Sequence, residues 1–304
     1  MTYQTLVMTF PENSLQETNE PTGFVRRIWI STLAFLMFSG ILSTAQTLAE
    51  NKSQPFGSEK VTLFQLTGKV RTGQLETFDN QQIIITETGK KRQFLWNDLL
   101  WLRFHREKIK RTSRQSATVY LANGDRIRLQ PTGVADDILL GNRFESATAN
   151  QQIKIPLMTI RGIVFHEPDT ALARDKLEQV LLNHREKKDL LILRNGDRIS
   201  GRFQKLDDNS VTFSQPDGKT LLRGIRAVVF NPRYLDFPKP KINQKILWLR
   251  DGSRITATRI EMPKNGRIKV LAAYGGTLEL AKNAVRSIRV FGTKAISLSY
   301  LKPS

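Results

Sequence analysis

The sequence predicts an all-β protein: four tandem small β-barrel repeats, arranged as two pairs with one intervening α-helix. Three observations predict it. Four short apolar segments each run into a glycine turn: VTLFQLTG (61–68), ATVYLANG (117–124), DLLILRNG (189–196) and KILWLRDG (245–252). Four further segments close the copies with an apolar strand: FLWNDLLWLRFH (94–105), KIPLMTIRGIVFHEP (154–168), LLRGIRAVVFNP (221–232) and ELAKNAVRSIRVFG (279–292). Between the second and third copies lies one stretch with helical periodicity. A motif that recurs at this length marks a repeat architecture.

The Asn-Gly and Asp-Gly dipeptides predict tight hairpins with both central residues at positive φ. The segment after the turn alternates. In the third copy Ile199 and Phe203 face one way and Arg198, Ser200 and Arg202 the other. A second strand follows at Val211-Thr212-Phe213. The first copy keeps the spacing, with Gly68, Gly73, Leu75 and Asp79 matching Gly196, Gly201, Phe203 and Asp207. A polar turn (Gly89, Gly218, more loosely Gly275-Gly276) leads to a third strand. The closing strand then carries Phe104, Phe165, Phe230 or Phe291. These boundaries place the repeats at 58–106, 117–167, 189–232 and 245–292, each near the lower size limit for a core of its own.

Successive turn glycines lie 56, 72 and 56 residues apart, which predicts that the first repeat pairs with the second and the third with the fourth. The extra sequence, 168–188, predicts a helix. Asp169 or Thr170 is its N-cap, Leu172, Leu177, Val180 and Leu181 form its apolar stripe, and Lys187-Lys188 sit at its C-terminal end. A four-bladed propeller is the competing arrangement, disfavoured by the uneven spacing and by the helix.

Residues 1–49 read as a signal peptide or N-terminal anchor. Arg26-Arg27 precede an apolar run at 28–42, followed by small residues at 43–45 and 47–49. The run falls short of the roughly 20 residues a spanning helix needs. Cleavage after Ala45 or Ala49 and export to the periplasm, cell surface or medium are expected, the alternative being a tether through residues 28–44.

With 47 Lys+Arg against 28 Asp+Glu, the chain carries a formal net charge of +19. The surplus favours anionic partners. For an exported chain these are an anionic polysaccharide or an envelope protein, with nucleic acid least available. The absence of cysteine excludes a disulfide scaffold, a thiolate metal site and a cysteine nucleophile, and three histidines leave little for a catalytic triad. His105 and His166 follow the terminal Phe of the first two copies, where equal placement points to a structural role. His184 lies late in the helix. Asp136-Asp137 and Asp207-Asp208 read as turn residues, and Asp125 and Asp197 as hairpin supports. No Walker, dinucleotide or EF-hand loop occurs. No catalytic residue, cofactor or metal ligand is therefore assigned.

The candidate anion-binding residues are arginines at repeated positions. Arg126, Arg198 and Arg254 each stand two residues after a turn glycine. Arg161, Arg226 and Arg286 stand on the closing segments, where Arg103, Arg223 and Arg289 also lie. Guanidinium groups offer paired donors in a plane to carboxylate, sulfate or phosphate, and repetition adds avidity. The competing reading is a solvated strand face with charges that block edge-to-edge aggregation. Trp96, Trp101 and Trp248 occupy apolar strand positions and read as core.

A strand, a short turn of about four residues and a final strand resemble the way SH3-like small barrels close. The phrase NGDRISGRFQKLDDNSVTFSQPDGKTLLRGIRAVVF is also similar in its strand-turn plan to the Sm-like fold. It more closely resembles a repeat of the form LxNGDxxxGxLxxxxxxxLxxxxxxGxxxxPxxxIxxIxF, found in exported bacterial proteins of unknown role, often beside a module of the carbohydrate-binding kind. That resemblance covers residues 61–292 and is tightest in copies one and three. It implies SH3-like β units and carries over no functional residue. The expected function is a non-enzymatic exported envelope protein that binds or scaffolds through a basic surface. The alternatives are a structural assembly module acting through strand edges and a hydrolase with a site between the repeat pairs.

Overall fold

A computed structural model describes residues 59–105, 117–143, 151–207, 210–238, 244–263 and 266–291; the leader read at 1–49 lies outside the described residues. The first repeat holds β1 (Glu59–Gln65), β2 (Val70–Phe78), β3 (Gln82–Glu87), β4 (Lys90–Leu95) and β5 (Leu99–Phe104). The second holds β6 (Ala117–Leu121), β7 (Arg126–Ala135), β8 (Ile138–Arg143), β9 (Gln151–Pro156) and β10 (Ile160–Val164). After α1 (Ala171–Asn183) come β11 (Asp189–Leu193), β12 (Arg198–Asp207), β13 (Ser210–Gln215), β14 (Gly218–Leu222) and β15 (Ile225–Val229). The fourth repeat holds β16 (Gln244–Leu249), β17 (Arg254–Glu261), β18 (Arg267–Ala272), β19 (Thr277–Ala281) and β20 (Val285–Phe291).

All four repeats share one topology. Strands one to four form an antiparallel meander, and strand five returns to pair with strand one. The sheet is not closed into a barrel. The repeat extends to its irregularities. In the first three repeats the second strand slips register at the residue eight past its turn glycine, namely Glu76, Thr132 and Gln204, and in the fourth it slips six past, at Thr258. Every fifth strand bulges at the residue two before its central one: Leu100, Arg161, Arg226 and Arg286. Bulges bend a strand and re-aim its side chains, and here they fold each meander over its own core. Leu63, Ile83, Ile85 and Leu102 are fully buried in the first repeat, as are Leu247, Ile268, Val270 and Ile288 in the fourth.

The hairpins differ from the expected two-residue turn. Only the glycine adopts positive φ, at 80°, 84°, 96° and 95° for Gly68, Gly124, Gly196 and Gly252. Its N–H donates three residues back, and the last residue of the strand donates to the residue after the glycine, as Gly124 does to Leu121 and Leu121 to Asp125. This is the three-residue loop with glycine at the left-handed position. Two successive positive φ values occur instead at Thr88-Gly89, 48° and 77°, and at Asp136-Asp137, 50° and 58°.

The pairing also differs from the spacing argument. The first repeat joins the fourth through β5 and β20, with Arg103, Leu102 and Trp101 opposite Ser287, Ile288 and Arg289. The second joins the third through β10 and β15, with Gly162, Ile163 and Val164 opposite Val229, Val228 and Ala227. Within their repeats Leu102, Ile163, Val228 and Ile288 are equivalent, because they face Leu63, Val119, Leu191 and Leu247, each five residues before a turn glycine. Each junction therefore pairs a residue with its own equivalent, which is a local two-fold axis. The outer junction has a second contact of the same symmetry, a bridge between Phe78 and Met262, each ten residues past its glycine. Chain adjacency does not choose the partners; of the two edges each repeat offers, its fourth and its fifth strand, both junctions use the fifth. By the same register the fourth-copy equivalent of Phe104 is Val290, so Phe291 stands one residue late.

The helix forms where expected, with the Thr170 hydroxyl accepting from the Ala173 N–H. Leu177 and Leu181 are buried and Val180 packs against them, but Leu172 is 66% exposed, so the stripe begins a turn later than read. Lys187 and Lys188 lie past the helix end.

Candidate functional site

The two junctions present outward faces built from equivalent positions with different residues. At the inner junction these are Gly162, Val164, Ala227 and Val229, flanked by Tyr120 and Ile192, and α1 lies over them. Gly162 sits so close beneath the helix that a Cβ there would meet Leu181 Cδ2 at 2.4 Å and the Val228 carbonyl at 2.6 Å. At the outer junction the same positions hold Trp101, Arg103, Ser287 and Arg289, flanked by Phe64 and Trp248. No described element covers them. Trp101, Arg103, Trp248, Ser287 and Arg289 line, with Arg286, an open groove of about 330 Å³.

Trp96 is the core residue the sequence suggested: it is 2% exposed and its indole N–H donates to the Asp79 carbonyl. Trp101 and Trp248 are not core. Both are half-buried groove residues whose indole N–H groups have no acceptor. Each carries a guanidinium over its ring: Arg289 at 5.3 Å from the Trp101 centroid and Arg254 at 5.8 Å from that of Trp248. Trp101 also meets Phe64 edge to face at 4.9 Å. Arg103, Arg286 and Arg289 are exposed, and among the described residues none has a carboxylate partner. Three unpaired cations beside two indoles hold a positive potential over an apolar floor, which suits an anion that also has an apolar face.

The six arginines named from the sequence fall two to a repeat. Arg126, Arg198 and Arg254 face Tyr120, Ile192 and Trp248 on their first strands, and Arg161, Arg226 and Arg286 are the fifth-strand bulge residues beside those same positions. The first repeat has Val70 and Leu100 there, 55% and 43% exposed, around Phe64. The three arginine pairs do different things. In the second repeat Arg161 donates to the Leu182 carbonyl near the end of α1, and Arg126 lies 3.7 Å from Glu178. In the third, Arg198 and Arg226 line a shallow cleft against α1 with Lys176 and Arg194. In the fourth, Arg286 opens into the groove, while Arg254 backs Trp248 and donates to the Gly124 carbonyl. Arg103 and Arg289 were visible as fifth-strand arginines, but choosing them needed the strand pairing.

The histidines are occupied separately. His105 Nε2 is 2.6 Å from the Thr62 hydroxyl, His166 Nε2 meets the Arg194 guanidinium, and buried His184 contacts the Lys188 carbonyl at 2.8 Å. Burial, then Arg194 and Arg226, hold the His166 pKa below the ordinary imidazole value. Among the described residues no cluster of three or more acidic or histidine side chains has metal-binding geometry.

Repeats two and four touch through a third contact. Arg126 faces Arg254 at the equivalent position. Fully buried Asp125 accepts from the Thr256 N–H at 2.7 Å and hydroxyl at 2.8 Å, and its equivalent Ser253 accepts from the Arg128 N–H at 3.0 Å. Asp125 also receives the Asn123 amide and Asp197 the Asn195 amide within their turns. A scan against protein-family models gives no match for this chain, and neither does a search of the curated proteins.

Proposed function

We propose that the chain is an exported, non-enzymatic envelope protein of four SH3-like small β units that binds an anionic glycan in the groove of its outer pair. One observation carries the reading: equivalent faces of the two junctions differ, one apolar and covered by α1, the other open with Trp101, Trp248 and three arginines lacking acid partners. Aromatic faces suit the C–H face of a sugar ring, and guanidinium forks suit its carboxylate or sulfate. The excess of basic residues adds long-range attraction. The test is retention of the exported portion on a heparin-type column at low salt, with elution at moderate salt. Passage without retention at low salt would remove the glycan reading.

A further inference from the structure

We infer that the groove engages a linear acidic oligosaccharide through two anionic groups, one for Arg103 and one for Arg289, astride a sugar ring seated on Trp101. This rests on the glycan reading and goes further, because it sets the spacing and number of charges the ligand must carry.

The outer junction's axis passes between Leu102 and Ile288, both fully buried beneath the face. Arg103 and Arg289 are equivalent residues one step from that axis on opposite strands, pointing outward because their neighbours point in. Two steps of strand rise and one strand spacing put their Cα atoms about 8 Å apart on a diagonal. On the other diagonal stand Trp101 and Ser287, also equivalent to one another. The symmetry is thus kept for charge and broken for bulk. Both arginines are retained, while one aromatic platform faces a serine that leaves room beside it.

A monoanion could satisfy one arginine and would leave the other facing only its like charge. A ligand with acidic groups on successive residues meets both, and in a chain whose neighbouring units are rotated by half a turn those groups emerge on opposite sides, as the arginines do. The half-buried indole favours a saccharide over an inorganic polyanion: the exposed Arg289 guanidinium, which lies over the Trp101 ring without ligand, swings to the acid on binding and leaves the ring face to the sugar. The second indole, Trp248, with Arg286 near it, lies further along the groove for the next unit.

The experiment is calorimetric titration of the full exported portion with galacturonic acid, its dimer and trimer, and the matching neutral galactose oligomers. The expected result is a gain of about tenfold or more in affinity from monomer to dimer, with the neutral series weak throughout. Arg103→Ala and Arg289→Ala should each cancel most of that gain, leaving dimer and monomer alike; both side chains are exposed, and unchanged melting temperatures show the variants folded. Arg103→Lys keeps the charge without the fork and should recover part of the gain. A dimer no tighter than the monomer overturns the inference, as does full dimer affinity in both alanine variants. Column retention that survives both variants, with no dimer effect, sinks this inference and leaves the glycan reading standing. No retention and no titration sinks both.

Discussion

The outer and inner junctions are two copies of one interface, and their inward residues agree while their outward residues do not. Leu102 with Ile288, and Ile163 with Val228, are four buried aliphatic residues in the same antiparallel register. One layer out, Gly162 and Ala227 admit a helix, whereas Trp101 and Ser287 face solvent. The pairing therefore depends on strand edges and core packing common to all repeats. The outward layer is free to vary, and it decides whether the face becomes structure or surface. A fold built this way can turn one of two equal faces toward a ligand without disturbing how the repeats hold together.

The strongest way to break the comparison is to give the inner face the outer residue. Gly162→Trp places a ring where even a methyl group would overlap Leu181 and the Val228 carbonyl. Overpacking of this kind costs about 3 kcal/mol. For a chain of this size that is a melting temperature roughly 6–12 °C lower, accompanied by loss of helical circular dichroism as α1 lifts. A melting curve matching the parent would mean that α1 does not depend on the small residues beneath it.

A second test separates the junctions by pH. Among the described residues only the outer pair holds a buried lysine, Lys245, 3% exposed, whose ammonium donates to the Asn80 carbonyl at 3.1 Å and lies over Trp96. Burial lowers its pKa from 10.5 to about 8, with Asp79 opposing the change. A lysine depressed in the folded state contributes stability that is complete above pH 10.5 and lost as pH falls to about 8, a swing of about 3 kcal/mol at most. Lys245→Met should remove that rise. Urea unfolding of both proteins between pH 7.5 and 10 measures it, and parallel curves would show that Lys245 reaches water.

Much of this was legible in the sequence, and the missing part has a physical cause. The four strand-and-glycine segments, the closing strands and α1 follow from local alternation and turn chemistry, which need no partner. Which repeats pair does not, because all four expose the same fifth-strand edge and spacing along the chain carries no information about edges. Trp101 escaped for a related reason. It lies in the run LLWLRF, where the Leu100 bulge breaks the alternation that would have marked Leu102 as inward and Trp101 as outward. The usable signal was the contrast of Gly162 and Ala227 with Trp101 and Ser287, readable only once those positions are known to be equivalent.

If the open face exists for a ligand, its residues should matter little to the fold. Arg103→Ala and Arg289→Ala are expected to change stability by no more than about 0.5 kcal/mol, while heparin retention shifts to lower salt. A large loss of stability with unchanged retention would reassign both arginines to structure.

A last test concerns the contact between repeats two and four, where the comparison extends to a third two-fold pair. Asp125 and Ser253 are equivalent, and both are fully buried acceptors for the opposite repeat, yet only one can carry charge. Burial raises the Asp125 pKa above 3.8, although the bonds from Thr256 and Asn123 and the charge of Arg254 act the other way. An acid raised in the folded state contributes stability that is fully present below its unfolded pKa of 3.8 and lost as pH climbs through the folded value. Asp125→Asn removes the titration and, at neutral pH, costs about 1 kcal/mol for the weakened bond to Thr256. The difference between parent and variant should hold constant above the folded pKa and grow in the parent's favour as pH drops toward 4. Unfolding midpoints at pH 7, 5 and 4 measure it. A difference that stays flat would mean that water reaches the carboxylate, and that this contact, unlike the two strand junctions, is not dry.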